Sequence, residues 1–381
     1  MRKLHALLLS SLLFISACTP VFDNREEVIQ ETKDENSNQT AIVPSYTMSE
    51  ENYRMILTES SPKVAKARTV TTNQMGNRLD IAEFESGLRR HSKEYFSPEE
   101  YFFQPGQFLS QDTLLSWLSR YTEKNEEGLN PELNEDEASE EDFRQNPKYI
   151  SNIIEQDYLV KKDKKVVEVQ GVTIGISLRT VYNFTTEDRD YKENHSTEEL
   201  LKKGKAYAGE ILTRLREREE LKDVPIVFAL YEEEEARSKV PGKFLSKTYV
   251  DGSDSKIKDW KSINEKHVLF PSKEAEKDYF EDSQIFSDFR KEVSDYFPNF
   301  VGMIGNGFYV DDELKQVSID IPIQFHSQSE VVGFTQYVYS LVVEMFPEHY
   351  SVEVNIKSMD RQESLIVKKA GKEEPFVHIY E

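Results

Sequence analysis

The sequence predicts an α+β fold, and three observations carry that prediction. Segments 152–178 and 302–323 each hold a short apolar run, a charged turn, and a run in which Val, Ile and Leu alternate with other residues, the period of a strand. Each segment leads into a stretch with apolar residues at helical spacing. Each stretch is followed by one more apolar or alternating strand, so the order ββαβ occurs twice. Two such pseudo-repeated units, each with a preceding helix, and with the helices on one side of a small mixed sheet, make an α+β chain.

In chain order, residues 1–18 stand apart. Arg2 and Lys3 precede an apolar run over 4–17, broken only by His5, Ser10, Ser11 and Ser16. About 14 residues is short of the roughly 20 that a membrane span needs and suits the hydrophobic region of a signal peptide. The run ends Ile15-Ser16-Ala17-Cys18: an aliphatic residue, two small ones and a cysteine, similar to the bacterial lipobox. Residues 1–17 therefore read as a lipoprotein signal peptide, cut between Ala17 and Cys18, with lipid on the Cys18 thiol. Cys18 is the only cysteine in 381 residues, so no disulfide can form within the chain. Two acyl chains hold a protein far more firmly than one. The expectation is a chain anchored through Cys18 to the cell membrane, on its extracytoplasmic face. Residues 18–45, polar and without periodicity, read as a disordered tether spanning on the order of 25–30 Å.

The folded part divides near residue 240, into 46–240 and 241–381. The helix expected ahead of the first unit is DTLLSWLSRYTE (112–123), and an acidic loop of low apolar content covers 123–147. In the first unit Ile154, Tyr158 and Val160 open the hairpin, and Val172, Ile174, Ile176 and Leu178 line its second strand. Their counterparts in the second unit are Ile304, Phe308 and Val310, then Val317, Ile319, Ile321 and Ile323. The first unit's helix, from Ser196, has Ser196 or Thr197 as its cap and Glu198 and Glu199 in its first turn. Its stripe includes Tyr207, Ala208, Ile211 and Leu212, matched in the second by Tyr337, Val338, Leu341 and Val342. The nearly continuous run VPIVFALY (224–231) reads as a central strand. YSVEVNIKS (350–358) alternates and suits an edge or a half-exposed face. A helix over 283–297 precedes the second unit.

Composition narrows the function. With 70 acidic residues against 48 basic, the net charge of −22 repels phosphate backbones and anionic headgroups, which excludes nucleic acid as a partner. The seven histidines are scattered and none are spaced as on a zinc helix, so neither a metal nor a cofactor is expected. Asn306-Gly307 reads as a turn. DGSDSK (251–256) lacks the order of a calcium loop. The acid run 232–235 reads as a solvated face, and the aromatic cluster around Tyr95 and Phe103 as packing or as a ligand-facing patch. No catalytic motif is visible, so the folded part reads as a binding or interaction module for an envelope or extracellular ligand. A carboxylate-based envelope hydrolase is the alternative reading.

The lipobox at 15–18, the stretch EYFSPEEYFFQPGQFLSQDTLLSWLSRY (94–121) and the paired ββαβ units together resemble the CamS family, lipoproteins of Gram-positive bacteria named as sex pheromone precursors. The resemblance covers nearly the whole chain. It implies a lipid-bearing cysteine, here Cys18. It also implies trimming of the cut signal to a hydrophobic heptapeptide, here SLLFISA (11–17). Ser11 and Ser16 depart from the alanine-led peptide associated with the family, which predicts a peptide released but inactive as that pheromone.

Overall fold

The computed structural model describes residues 25–30, 39–44, 52–58, 65–66, 75, 78–163, 166–296, 302–324 and 327–380. The first strands are β1 (Arg25–Gln30), β2 (Gln39–Pro44), β3 (Arg54–Met55) and β4 (Leu57–Thr58). Helix α1 (Arg78–Ser92), strand β5 (Phe102–Pro105), and helices α2 (Gln111–Leu118) and α3 (Glu140–Gln145) follow. Next come the long pair β6 (Ile150–Lys161) and β7 (Val166–Leu178), the hairpin β8 (Val181–Thr186) and β9 (Arg189–Asn194), and α4 (Thr197–Arg216). The first sheet is completed by β10 (Ile226–Glu232), β11 (Lys243–Val250) and β12 (Lys261–Ser262). The remainder runs β13 (Glu265–Phe270), α5 (Lys273–Asp278), α6 (Phe280–Tyr296), β14 (Ile304–Val310) and β15 (Glu313–Pro322). It ends with α7 (Gln328–Met345), β16 (Ser351–Lys357), β17 (Gln362–Lys368) and β18 (Phe376–Ile379). The chain is α+β.

Strand β7 is the spine of the first sheet. Along one side it pairs antiparallel with β6. On the other side β10 runs parallel to its second half, from Val172 opposite Ile226 to Leu178 opposite Glu232. At its start, Val166 and Val167 lie beside Ile29 and Gln30 of β1. The second sheet has the order β13-β14-β15-β16-β17-β18, with β15 and β16 parallel across α7.

The cores explain the patterns. Helix α4 packs Ala208, Ile211 and Leu212 against Ile226, Phe228 and Leu230 of β10. Phe84 and Leu88 of α1 pack with Ala229 and Tyr231, which alternate with those residues. Helices thus cover opposite faces of the first sheet, which corrects the expectation of helices on one side; it is also why β10 is apolar throughout. In the second sheet Ile319, Ile321, Val354 and Ile356 meet Phe289, Phe334 and Val338 on one face only, so β16 alternates although it lies inside the sheet. Ser196 caps α4, accepting a hydrogen bond from the Glu199 N–H at 3.3 Å. Ser327 and Glu330 form a reciprocal capping box on α7.

Three more expectations need correction. Part of the expected tether, β1 and β2, pairs as strands with Val28, Ala41 and Val43 buried, because these apolar residues pack with Ile56, Phe102, Leu159 and Val167. The division near residue 240 falls in the connection from β10 to β11, and both strands belong to the first sheet; the sheets part between Ser262 and Glu265. Asn306-Gly307 is no turn but lies within β14, because a Cβ on Gly307 would come within 2.7 Å of the Phe270 ring. Side-chain absence there makes room for a neighbour rather than for a bend.

Candidate functional site

The carboxyl ends of parallel strands are where open sheets gather ligands. Here β7 and β10 end together at Leu178 and Glu232, and the residues just beyond both ends line one cleft of about 330 Å³. Its lining includes Arg179, Thr180, Asn183, Lys192 and Arg237, together with Glu233, Glu234 and Glu235. The β8–β9 hairpin forms one wall. It turns at Glu187 and Asp188, both at positive φ (51° and 58°), and is held by Phe143 stacked on Phe184 with centroids 4.9 Å apart.

The other wall is fixed by buried acids, which corrects the reading of 232–235 as a solvated face: Glu232 and Glu233 are buried. Glu232 Oε1 accepts from the Thr197 hydroxyl at 3.0 Å, at the start of α4. Glu233 Oε1 accepts from the Ser177 hydroxyl at 2.7 Å and from Ser151, while the Glu233 carbonyl accepts from Thr180 Oγ1. Asp80 of α1 reaches the same loop. It accepts from the Tyr231 hydroxyl at 2.7 Å, the Gly242 N–H at 2.6 Å and the Glu234 N–H at 3.2 Å. Burial pushes the Asp80 carboxyl up to about 6 against those hydrogen bonds. Gly242 is required there, since a Cβ would lie 1.9 Å from the Glu232 carbonyl oxygen. Arg179 is different from these fastened groups. Its Nε is buried without an acceptor, and neither it nor Arg237 makes a side-chain hydrogen bond or ion pair among the described residues. Lys192 lies 3.9 Å from Glu235.

Two other polar clusters are closed. Glu155 Oε1 accepts from the Gln107 and Phe108 amides at 2.9 and 2.8 Å, and Oε2 from Leu109 at 2.6 Å. Asp157, raised well above the usual range by burial and by Glu155, accepts from Gln104 and Gln107. This carboxylate pair fastens a loop, and neither member lines the cleft. At the junction of the sheets, Glu265 of β13 meets His91 Nε2 at 3.1 Å and Arg90 at 3.0 Å, and Arg90 also reaches Glu83 at 2.7 Å. His91 and His267, scattered in sequence, are thus brought to one place, with His267 3.8 Å from Glu83. No group of three metal-binding side chains occurs among the described residues.

The sequence-predicted site, Ile15, Ser16, Ala17 and Cys18, lies outside the described residues. The cluster around Tyr95 is packing: Phe96 and Phe103 are buried with Tyr158, and Tyr95 stacks on Tyr249 with centroids 5.1 Å apart. The cleft escaped sequence reading because Arg179 and Glu233 meet only through the parallel register. The available signal was an acid run abutting the end of a fully apolar strand.

A sequence model described as "CamS sex pheromone cAM373 precursor" matches residues 63–374. The chain belongs to the CamS family. This CamS-family chain is similar to the solved sex pheromone precursor from Lactobacillus salivarius subsp. salivarius, with 32% identity, a TM-score of 0.82, and coverage of 88% of this chain and 98% of that one. It is also similar to the C-terminal domain of the sex pheromone staph-cAM373 precursor from Staphylococcus aureus, with 32% identity, a TM-score of 0.70, and coverage of 81% and 98%. None of the curated proteins matches this CamS-family chain. No helix among its described residues is long and apolar enough to cross a membrane.

Proposed function

We propose that this CamS-family chain is a lipoprotein held by Cys18 on the extracytoplasmic face of the cell membrane, and that its folded part is a binding module. The observation that supports binding is the cleft beyond β7 and β10, where the buried Arg179 Nε is without an acceptor among the described residues and Arg237 lines the same space. Its volume lies within the range of small-molecule sites, and a lining this polar suits a small charged ligand. The anchor is supported by Ile15-Ser16-Ala17-Cys18 at the end of a short apolar run. Cys18→Ser is expected to move the protein from the membrane fraction to the medium or to leave it uncut. Cut Cys18→Ser protein that stays with the membrane would contradict anchoring through that residue.

The signal fragment left after cutting ends in SLLFISA. It is short, uncharged and aliphatic, able to leave the membrane for an apolar receptor groove. Such a groove senses single methylenes, each about 1–3 kcal/mol, so the serines at 11 and 16 are expected to deny it the family response. A fragment ending at Ala17 is expected in culture medium by peptide mass spectrometry, and synthetic SLLFISA is expected to leave responder cells unclumped.

A further inference from the structure

We propose that the cleft beyond β7 and β10 binds a small amino-carboxylate, an α-amino acid or a dipeptide, with its carboxylate on Arg179 and Arg237 and its ammonium group against Glu234 and Glu235. This rests on the binding reading above and assigns that site its ligand class.

Arg179 carries the carboxylate half. Buried polar groups in folded proteins are nearly always paired, and an exception asks for a partner. The Nε–H of Arg179 is such an exception; the atom itself is sealed from solvent, and the residue lines an open cleft, so a carboxylate that reaches Nε has to draw the side chain towards it. Guanidinium is a planar fork whose adjacent N–H groups match the two oxygens of a carboxylate. Arg237 lines the same cleft and is likewise without an acid partner among the described residues. In a chain with 70 acids and 48 bases, this cleft gathers three bases, Arg179, Lys192 and Arg237, against three acids, so its field is balanced where the chain as a whole is negative.

The remaining lining selects among anions. Glu233, Glu234 and Glu235 border the same space, so a phosphate dianion meets twice the repulsion that a monoanion does. Glu233 is already used, bound by Ser151 and Ser177. The Glu234 carboxyl is pushed up, first by burial and then by its acidic neighbours, and an incoming cation relieves both. A volume of about 330 Å³ is at the small end for ligand pockets and suits one or two amino-acid units.

The test is NMR of the arginine Nε–H groups of the full chain in detergent, with calorimetry alongside and three probes: alanyl-alanine, acetate and inorganic phosphate. The Arg179 signal is identified by its loss in Arg179→Lys. Alanyl-alanine is expected to shift that signal saturably and to bind at least about tenfold more tightly than acetate or phosphate. Arg179→Met is expected to abolish binding without unfolding the protein, since its Nε has no hydrogen-bond partner among the described residues. Glu234→Gln with Glu235→Gln is expected to erase the preference over acetate. Acetate or phosphate binding as tightly as the dipeptide would overturn the ligand class while leaving the cleft a binding site. No shift of the Arg179 signal with any probe would overturn both.

Discussion

Glu265 opens β13, where the second sheet begins, and its side chain is almost wholly enclosed. Burial alone would push this carboxyl up. The His91 hydrogen bond and the Arg90 guanidinium outweigh it and hold the carboxyl at about 2, against 4.5 in an unfolded chain. A carboxylate depressed on folding contributes stability that is fully present above pH 4.5 and is lost as the pH falls towards 2. The expected loss over that window is about 3 kcal/mol, read as a falling urea midpoint. Glu265→Gln strips the Arg90 guanidinium of its buried counter-charge and weakens the His91 hydrogen bond, at an expected cost of about 3 kcal/mol at neutral pH. It also flattens that acid limb, and an unchanged limb in Glu265→Gln would assign the acid sensitivity elsewhere. None of this was legible in the sequence. His91 and His267 are far apart along the chain, and only the meeting of α1 with β13 puts both beside carboxylates.

At the scale of elements the sequence was more informative, and its failures have physical causes. Strands β14 and β15 were legible because one face of their sheet is buried, which forces alternation. Helices α4 and α7 showed their stripes and α4 its serine cap for the same kind of reason. The β8–β9 hairpin was not read, since its strands carry few apolar residues and lean on Phe143 from a distant helix. Gly307 was misread because a glycine after Asn is a strong turn signal, whereas here it lies opposite Val317 and makes way for Phe270. Gly307→Ala separates the two readings. In the strand, the added methyl has to displace the Phe270 ring, and overpacking of that kind costs about 1–3 kcal/mol, measured by chemical denaturation. A neutral or stabilising effect would mean the close approach is not there.

Among the described residues the two large sheets, each with its own core, are joined at β12–β13 and clasped by Arg90, His91 and Glu265. Fold class could be argued from residues near each other in sequence: apolar and alternating strands on either side of helical stripes. The candidate site could not, because a site at the ends of parallel strands is assembled by register between segments joined through a helix. Native mass spectrometry of the protein taken from the membrane fraction of its own cells reads the lipid on Cys18 and the occupant of the cleft together. The expected mass is that of a chain beginning at a diacylated Cys18, accompanied by a small bound amino-carboxylate that is missing from Arg179→Met. A chain that still begins at Met1, or one with an unmodified Cys18 thiol in that fraction, would contradict the account.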